Sequence, residues 1–165
     1  MLIEEIENGD CMKASAVATM KISSPAFENE GKIPSVYTCD GANINPPLRV
    51  NNIPNGTKSL AIIMEDPDAP GGTFTHWVTW NISPHESLPE ASAQGVEGVN
   101  DFNKYHYGGP CPPSGRHNYI FKVYALDRDM YLSRDSERKA LEMAMQGHII
   151  GYGELKGWYE REQLT

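Results

Sequence analysis

The alternation of apolar and polar residues marks three long strand candidates. "SLAIIMED" (59–66) is apolar at successive positions, which fits a central strand covered on both faces. "HWVTWNI" (76–82) sets His76, Val78, Trp80 and Ile82 on one face by the period of two. "HNYIFKVYAL" (117–126) groups His117, Tyr119, Phe121 and Val123 in the same way. One segment carries a helical period: "DSERKALEMAMQG" (135–147), with Ala140, Leu141, Ala144 and Met145 on one stripe and Gly147 as its C-terminal stop. After it, "HIIGYGEL" reads as a short strand and "KGWYEREQLT" as a short tail.

Turn signals crowd the chain from Met20 onward, in "SSPAFENEGKIP", "CDGANINPP" and "NIPNGTK". The 12 prolines and 15 glycines fall mostly between short β-rich runs, so the pattern predicts an all-β core with long structured loops. Residues 1–19 read as an N-terminal extension in which "SAVATMKISSPAF" is a candidate strand; residues 20–165 read as a single domain. The connection from Ser83 to Arg116 is long and has no strong pattern of its own. It ends in "YHYGGPCPPSGRH", whose aromatics and rigid prolines are poor material for disorder, so the loop reads as functional.

The candidate chemistry lies in "DPDAPGGTFTHW" (66–77). Asp66 and Asp68 end the first central strand and His76 opens the next, so antiparallel neighbours would put all three at one end of a sheet. A crossover through the long connection can return His117 and Tyr119 to that end. Other readings stand beside this one. Asp66 and Asp68 suit a turn cap, since Asp bonds its own backbone readily. His76 and His117 suit structural roles. His85, His106 and His148 read as structural or surface residues, and Trp77, Trp80 and the tyrosines of "YHY" as core or pocket lining.

Bulk properties narrow the setting. A chain of 165 residues fits one domain, burying about two thirds of its unfolded surface. The net charge of −8 argues against a nucleic-acid groove and against docking on anionic lipid by charge. No apolar run approaches the roughly 20 residues of a membrane span, and the acidic start "MLIEEIENGD" lacks a signal-peptide pattern, so a cytoplasmic location is expected. Cys11, Cys39 and Cys111 suit neither a zinc site nor a disulfide framework; a Cys39–Cys111 bridge is conceivable, but reduced thiols are expected in the cytoplasm.

From about Met20 to Gly157 the chain resembles the phosphatidylethanolamine-binding protein family. The resemblance rests on "CDGANINPPL" (39–48), "DPDAP" (66–70), "HW" (76–77), "GPCPPSGRHNYIFKVYAL" (109–126) and "AMQGHIIGYGEL" (144–155). It implies a mainly β fold: a sandwich-like arrangement with a central antiparallel sheet, a smaller second sheet and one or two short helices. It also implies a small anion pocket at one end of the sheet, carried by Asp66, Asp68, Pro70, His76, Gly109, Cys111, Pro112, Pro113, His117 and Tyr119, with the 108–111 backbone as a wall. Arg116 precedes His117 here, where many relatives carry the basic residue after it, so its guanidinium falls on the face of Asn118. Cys111 stands where eukaryotic relatives often have glycine, and no gating C-terminal helix is expected after "KGWYE".

The chemistry expected of such a pocket is binding. A carboxylate within about 4–6 Å favours imidazolium, so His76 or His117, protonated against Asp66, donates to a phosphate or carboxylate oxygen. Backbone N–H groups of the Gly/Pro-rich wall add neutral donors. Asp68 is left to face the cation of a zwitterion such as phosphoethanolamine, or a basic side chain of a protein partner. The leading expectation is a non-enzymatic protein that binds a small anion or phosphoryl compound, with no cofactor and no metal. Kinship implies two further possibilities: inhibition of a serine protease or kinase by docking, and a homodimer. A hydrolase or metal enzyme is the remaining rival. The D-x-D spacing is not metal-specific, and a Cys111 nucleophile is flanked by Pro110 and Pro112, which have no N–H for an oxyanion hole.

Overall fold

The computed structural model describes residues 17–162. Its strands are β1 (Ala18–Thr19), β2 (Lys21–Ser23), β3 (Gly31–Lys32), β4 (Leu48–Asn51), β5 (Ser59–Asp66), β6 (Phe74–Ile82), β7 (Ser87–Leu88), β8 (Val96–Glu97), β9 (His117–Leu126) and β10 (Ile149–Tyr159); among the described residues the helices are α1 (Arg138–Met145) and a single 3-10 turn, Ser35–Tyr37. The large sheet runs β1-β10-β9-β5-β6-β8, with β3 also on β10. It is antiparallel through its centre and parallel only where β1 and β3 meet β10. A smaller antiparallel sheet, β2-β4-β7, packs over one face. Among the described residues no helix is long and apolar enough to cross a membrane.

Two apolar layers flank the large sheet. Leu60, Ile62 and Met64 of β5 join Tyr119, Phe121 and Val123 of β9 against Ile22, Leu48, Val50 and Leu88 of the small sheet. The opposite face, with Ala61, Ile63, Val78 and Trp80, takes Leu141 and Met145 of α1. All eight residues of β5 are buried, as its unbroken apolar run predicts.

The second long strand departs from simple alternation. Between Met64 and Glu65 the facing partners move from Trp77 to Thr75, so His76 is an extra residue in β6. A second extra residue falls between Thr79 and Ile82, where Asn81 adopts a positive φ of 58°. Each bulge reverses the in–out order. The expected single face of His76, Val78, Trp80 and Ile82 is therefore split. Val78 and Trp80 face α1, while Ile82 faces the small sheet.

Other boundaries differ for local reasons. The long connection contributes β7 to the small sheet and β8 to the edge of the large one. The helix begins at Arg138 and not at Asp135, because Ser136 and Glu137 pair with Val99 instead. Gly147, with φ +82°, follows its end as the sequence predicts. The expected short strand runs on through the first residues of the expected tail as one 11-residue strand, β10, ending at Tyr159. Its alternating glycines weaken intrinsic strand propensity, yet they let other segments cross at close range. A Cβ at Gly153 would collide with the Met20 carbonyl oxygen. The extension expected over residues 1–19 lies outside the described residues up to residue 16; Ala18–Thr19 pair with β10.

The cysteines overturn the expectation of reduced thiols. Cys39 and Cys111, 72 residues apart, form a disulfide. Thiol state therefore no longer argues for a reducing compartment.

Gly153→Ala is predicted to lower stability by about 1–3 kcal/mol, the usual range for overpacking a close backbone contact. Denaturant unfolding of the variant beside the wild type measures it.

Candidate functional site

Antiparallel pairing sets the site. β5 lies between β6 and β9, so its C-terminal end adjoins the N-terminal ends of both. Asp66, His76, His117 and Tyr119 thereby meet at one end of the large sheet, where they line a cavity of about 240 Å³. Its remaining walls are Ala69, Pro70, Phe74, Phe102, Pro112 and Pro113, together with bridged Cys111.

Each polar group has a defined partner. Asp66 is buried and uses both carboxylate oxygens. Oδ1 accepts the Asp68 backbone N–H at 2.8 Å, capping the turn, and Oδ2 accepts His117 Nδ1–H at 2.7 Å. The turn-capping reading of Asp66 thus holds together with its place in the cavity. His76 Nδ1 lies 2.7 Å from the Gly108 carbonyl, which can only accept, so the proton sits on Nδ1. Burial holds the His76 ring below the usual histidine pKa, and the opposing pull of the Gly108 carbonyl and Asp66 is smaller. His76 is therefore a neutral ring with a lone pair on Nε2. Of the two imidazoles, His117 is the one bonded to Asp66. Tyr119 is fully buried, and its hydroxyl lies closed off from solvent near the Cys111 backbone. Burial, then Asp66 and Asp68, push the phenol well above its ordinary range, so it stays a neutral O–H.

Two expected residues stand apart from the cavity. Asp68 is exposed, and its Oδ2 accepts from the backbone N–H of Asn118 at 2.9 Å and from Asn118 Nδ2 at 3.1 Å. Its carboxylate locks the turn to β9 and does not line the hollow. Gly109 lies behind the wall, donating to Asn43 Oδ1 at 2.8 Å. Pro70, Cys111, Pro112 and Pro113 do line it. The bridge leaves Cys111 no free thiolate, so its reading as a nucleophile fails. Arg116 turns away and stacks 3.5 Å over the Trp158 ring, beside Asn118 in the register.

The aromatic side of the cavity escaped the sequence reading. Phe74 and Phe102 meet the His76 ring edge-on, with centroids 5.2 Å away in both cases. Phe102 is held there by buried Asn100. The Asn100 amide donates to the carbonyls of His76 and His106, and its oxygen accepts from the N–H groups of Phe102 and Lys104. Gly108 is needed beside it, since a Cβ there would lie 2.6 Å from the Phe102 ring. The only sequence signal was the phenylalanine beside the polar pair in "VNDFNK".

A larger open hollow of about 650 Å³ lies beside Asp40, Tyr159 and Arg161. There the charges satisfy one another: Arg161 pairs with Asp40 at 2.9 Å, and Tyr159 donates to Asp40 at 2.7 Å. The smaller cavity is the better candidate because two imidazoles line it beside a buried carboxylate. Among the described residues, no group of three His, Cys, Asp or Glu side chains is arranged to hold a metal ion.

Comparison with known proteins agrees with this architecture. The profile described as phosphatidylethanolamine-binding protein matches residues 23–160. A UPF0098 protein of Pyrococcus abyssi is 48% identical over 163 residues, covering 92% of this chain and 91% of that protein. The crystal structure of a phosphatidylethanolamine-binding protein homologue from Chlamydia trachomatis superposes with a TM-score of 0.84 at 38% identity, over 87% of this chain and 99% of its own. E. coli YbcL, described as a member of the mammalian family of that kind, gives 0.79 at 29% identity over the same shares.

The depressed His76 pKa has a stability consequence. The unfolded chain takes up this proton more readily than the folded one, so the neutral ring's contribution is complete above the ordinary value of about 6.5 and is lost as pH falls through the folded value. His76→Asn is predicted to flatten part of the decline in stability as pH falls below about 6.5. Parallel denaturation curves across that range test this; identical slopes would refute it.

Proposed function

The chain belongs to the phosphatidylethanolamine-binding protein family, and we propose that it is a non-enzymatic binding protein whose sheet-end cavity takes a small anion of phosphoryl type. The observation that carries this reading is the His117–Asp66 pair inside the cavity. Asp66 fixes a proton on Nδ1 and offsets the ring's positive charge. Among the described residues, no group hydrogen-bonds Nε2, which is left for a ligand. Protonated His117 is then a charge-assisted donor in a mostly apolar hollow, where such a bond is stronger than in water.

The size of the cavity also supports this reading. About 240 Å³ holds a phosphate-sized group with a short substituent but not a whole lipid. A head group is the largest part of a lipid that fits.

Phosphate or phosphoethanolamine at about a hundredfold excess over Kd is predicted to raise the Tm by about 5–10 °C, as expected for roughly 2.7 kcal/mol of linkage in a domain of this size. His117→Ala removes the rise. Thermal unfolding with each compound, paired with histidine NMR titration, checks this. A wild-type protein whose Tm and imidazole resonances ignore both compounds would defeat the proposal.

A further inference from the structure

Resting on the anion-binding reading above, we propose that the cavity selects a phosphoryl or phosphonyl group that still carries one proton, because its two imidazoles offer opposite hydrogen-bonding faces to a single ligand. His76 gives its Nδ1 proton to the Gly108 carbonyl, and His117 gives its Nδ1 proton to the Asp66 carboxylate. The outer nitrogens are thereby distinguished. His76 Nε2 is a lone pair on a neutral buried ring, able only to accept. His117 Nε2 becomes an N–H donor when that ring is charged. Among the described residues neither outer nitrogen has a partner, and both rings line the same cavity.

A fully deprotonated oxyanion meets this set badly. One of its oxygens can accept from His117, but another faces the His76 lone pair, and an unmade bond at a buried polar atom is unfavourable. A group with one P–OH donates to His76 and accepts from His117, which satisfies both.

The charge count points the same way. The groups facing the two rings are Asp66 from β5, Asp101 from the long connection, Tyr119 from β9 and Tyr159 beside His117 on β10. Among the described residues, no lysine or arginine lines the cavity. Arg116 lies on Trp158, and Lys122 and Arg138 are spent on Glu65, whose side chain leaves the other face of the sheet. A single imidazolium opposite Asp66 suits a monoanion better than a dianion. Sulfate matches phosphate in shape but has no proton to give near neutral pH, and it provides the discriminating comparison.

The test is calorimetric titration of the wild-type protein with inorganic phosphate and with sulfate, at matched ionic strength and about pH 6, where phosphoryl groups retain a proton. Phosphate is expected to bind at least about tenfold more tightly. His76→Gln replaces the lone pair by an amide that can also donate, and should bring the two affinities together. Sulfate binding within about threefold of phosphate in the wild type would overturn this inference while leaving the anion pocket intact. Failure of both ions to bind would overturn the pocket reading itself, and this inference with it. If the variant does not fold, the wild-type ratio decides alone.

Discussion

The antiparallel pairing of β5 with β6 on one side and β9 on the other is the constraint on which the site depends. It brings residues 66, 76 and 117 to one edge although they are far apart along the chain. Pairing alone is not sufficient, because side chains alternate between the two faces of a sheet. Asp66 and His117 reach the cavity face by regular alternation. His76 reaches it through the extra residue that the bulge in β6 inserts opposite Met64 and Glu65. Without that insertion the ring would follow Val78 and Trp80 toward α1. The bulge is thus a device that aims one side chain, as bulges near functional sites commonly are.

The adjacent carboxylates of Glu65 and Asp66 show how strongly the two faces differ. Both are buried. Glu65 turns toward the helix side, where Lys122 at 3.1 Å and Arg138 pair with it, and Arg138 also reaches Glu142. That cluster balances its own charge and ties α1 to the strand. Asp66 turns to the cavity, where among the described residues its ionisable partner at bonding distance is the His117 imidazole. Two cationic side chains hold one carboxylate and an imidazole holds the other, a difference of a single residue along the strand.

Much of the scaffold was legible. The buried run of β5, the strand that starts at His117 and the helical stripe with its glycine stop all follow from periodicity. What periodicity cannot encode is a change of phase. Nothing in "HWVTWNI" signals an extra residue at 76 or near 81, so the face assignment failed there. The full length of β10 escapes the sequence reading, and the purpose of its glycines is visible only against Met20, Phe27 and Ile33, which are distant in sequence. The site was legible as a set of residues but not as a set of bonds. Asp68 was expected in the pocket with Asp66, yet it bonds Asn118 because the tight turn carries it past the rim. Phe102 was missed because it depends on Asn100, whose four bonds fold the loop locally.

The link between Cys39 and Cys111 divides the cavity into two kinds of boundary. The floor, made of strand-borne Asp66, His76, His117 and Tyr119, is held by backbone ladders. The border, where Cys111 is followed by Pro112 and Pro113, is fastened across the loop by a covalent bond and by the Cys39 N–H to the Pro110 carbonyl. Thiol exchange therefore acts on the border and not on the floor. A preparation handled with dithiothreitol and one handled without it share the same imidazoles and differ at the mouth.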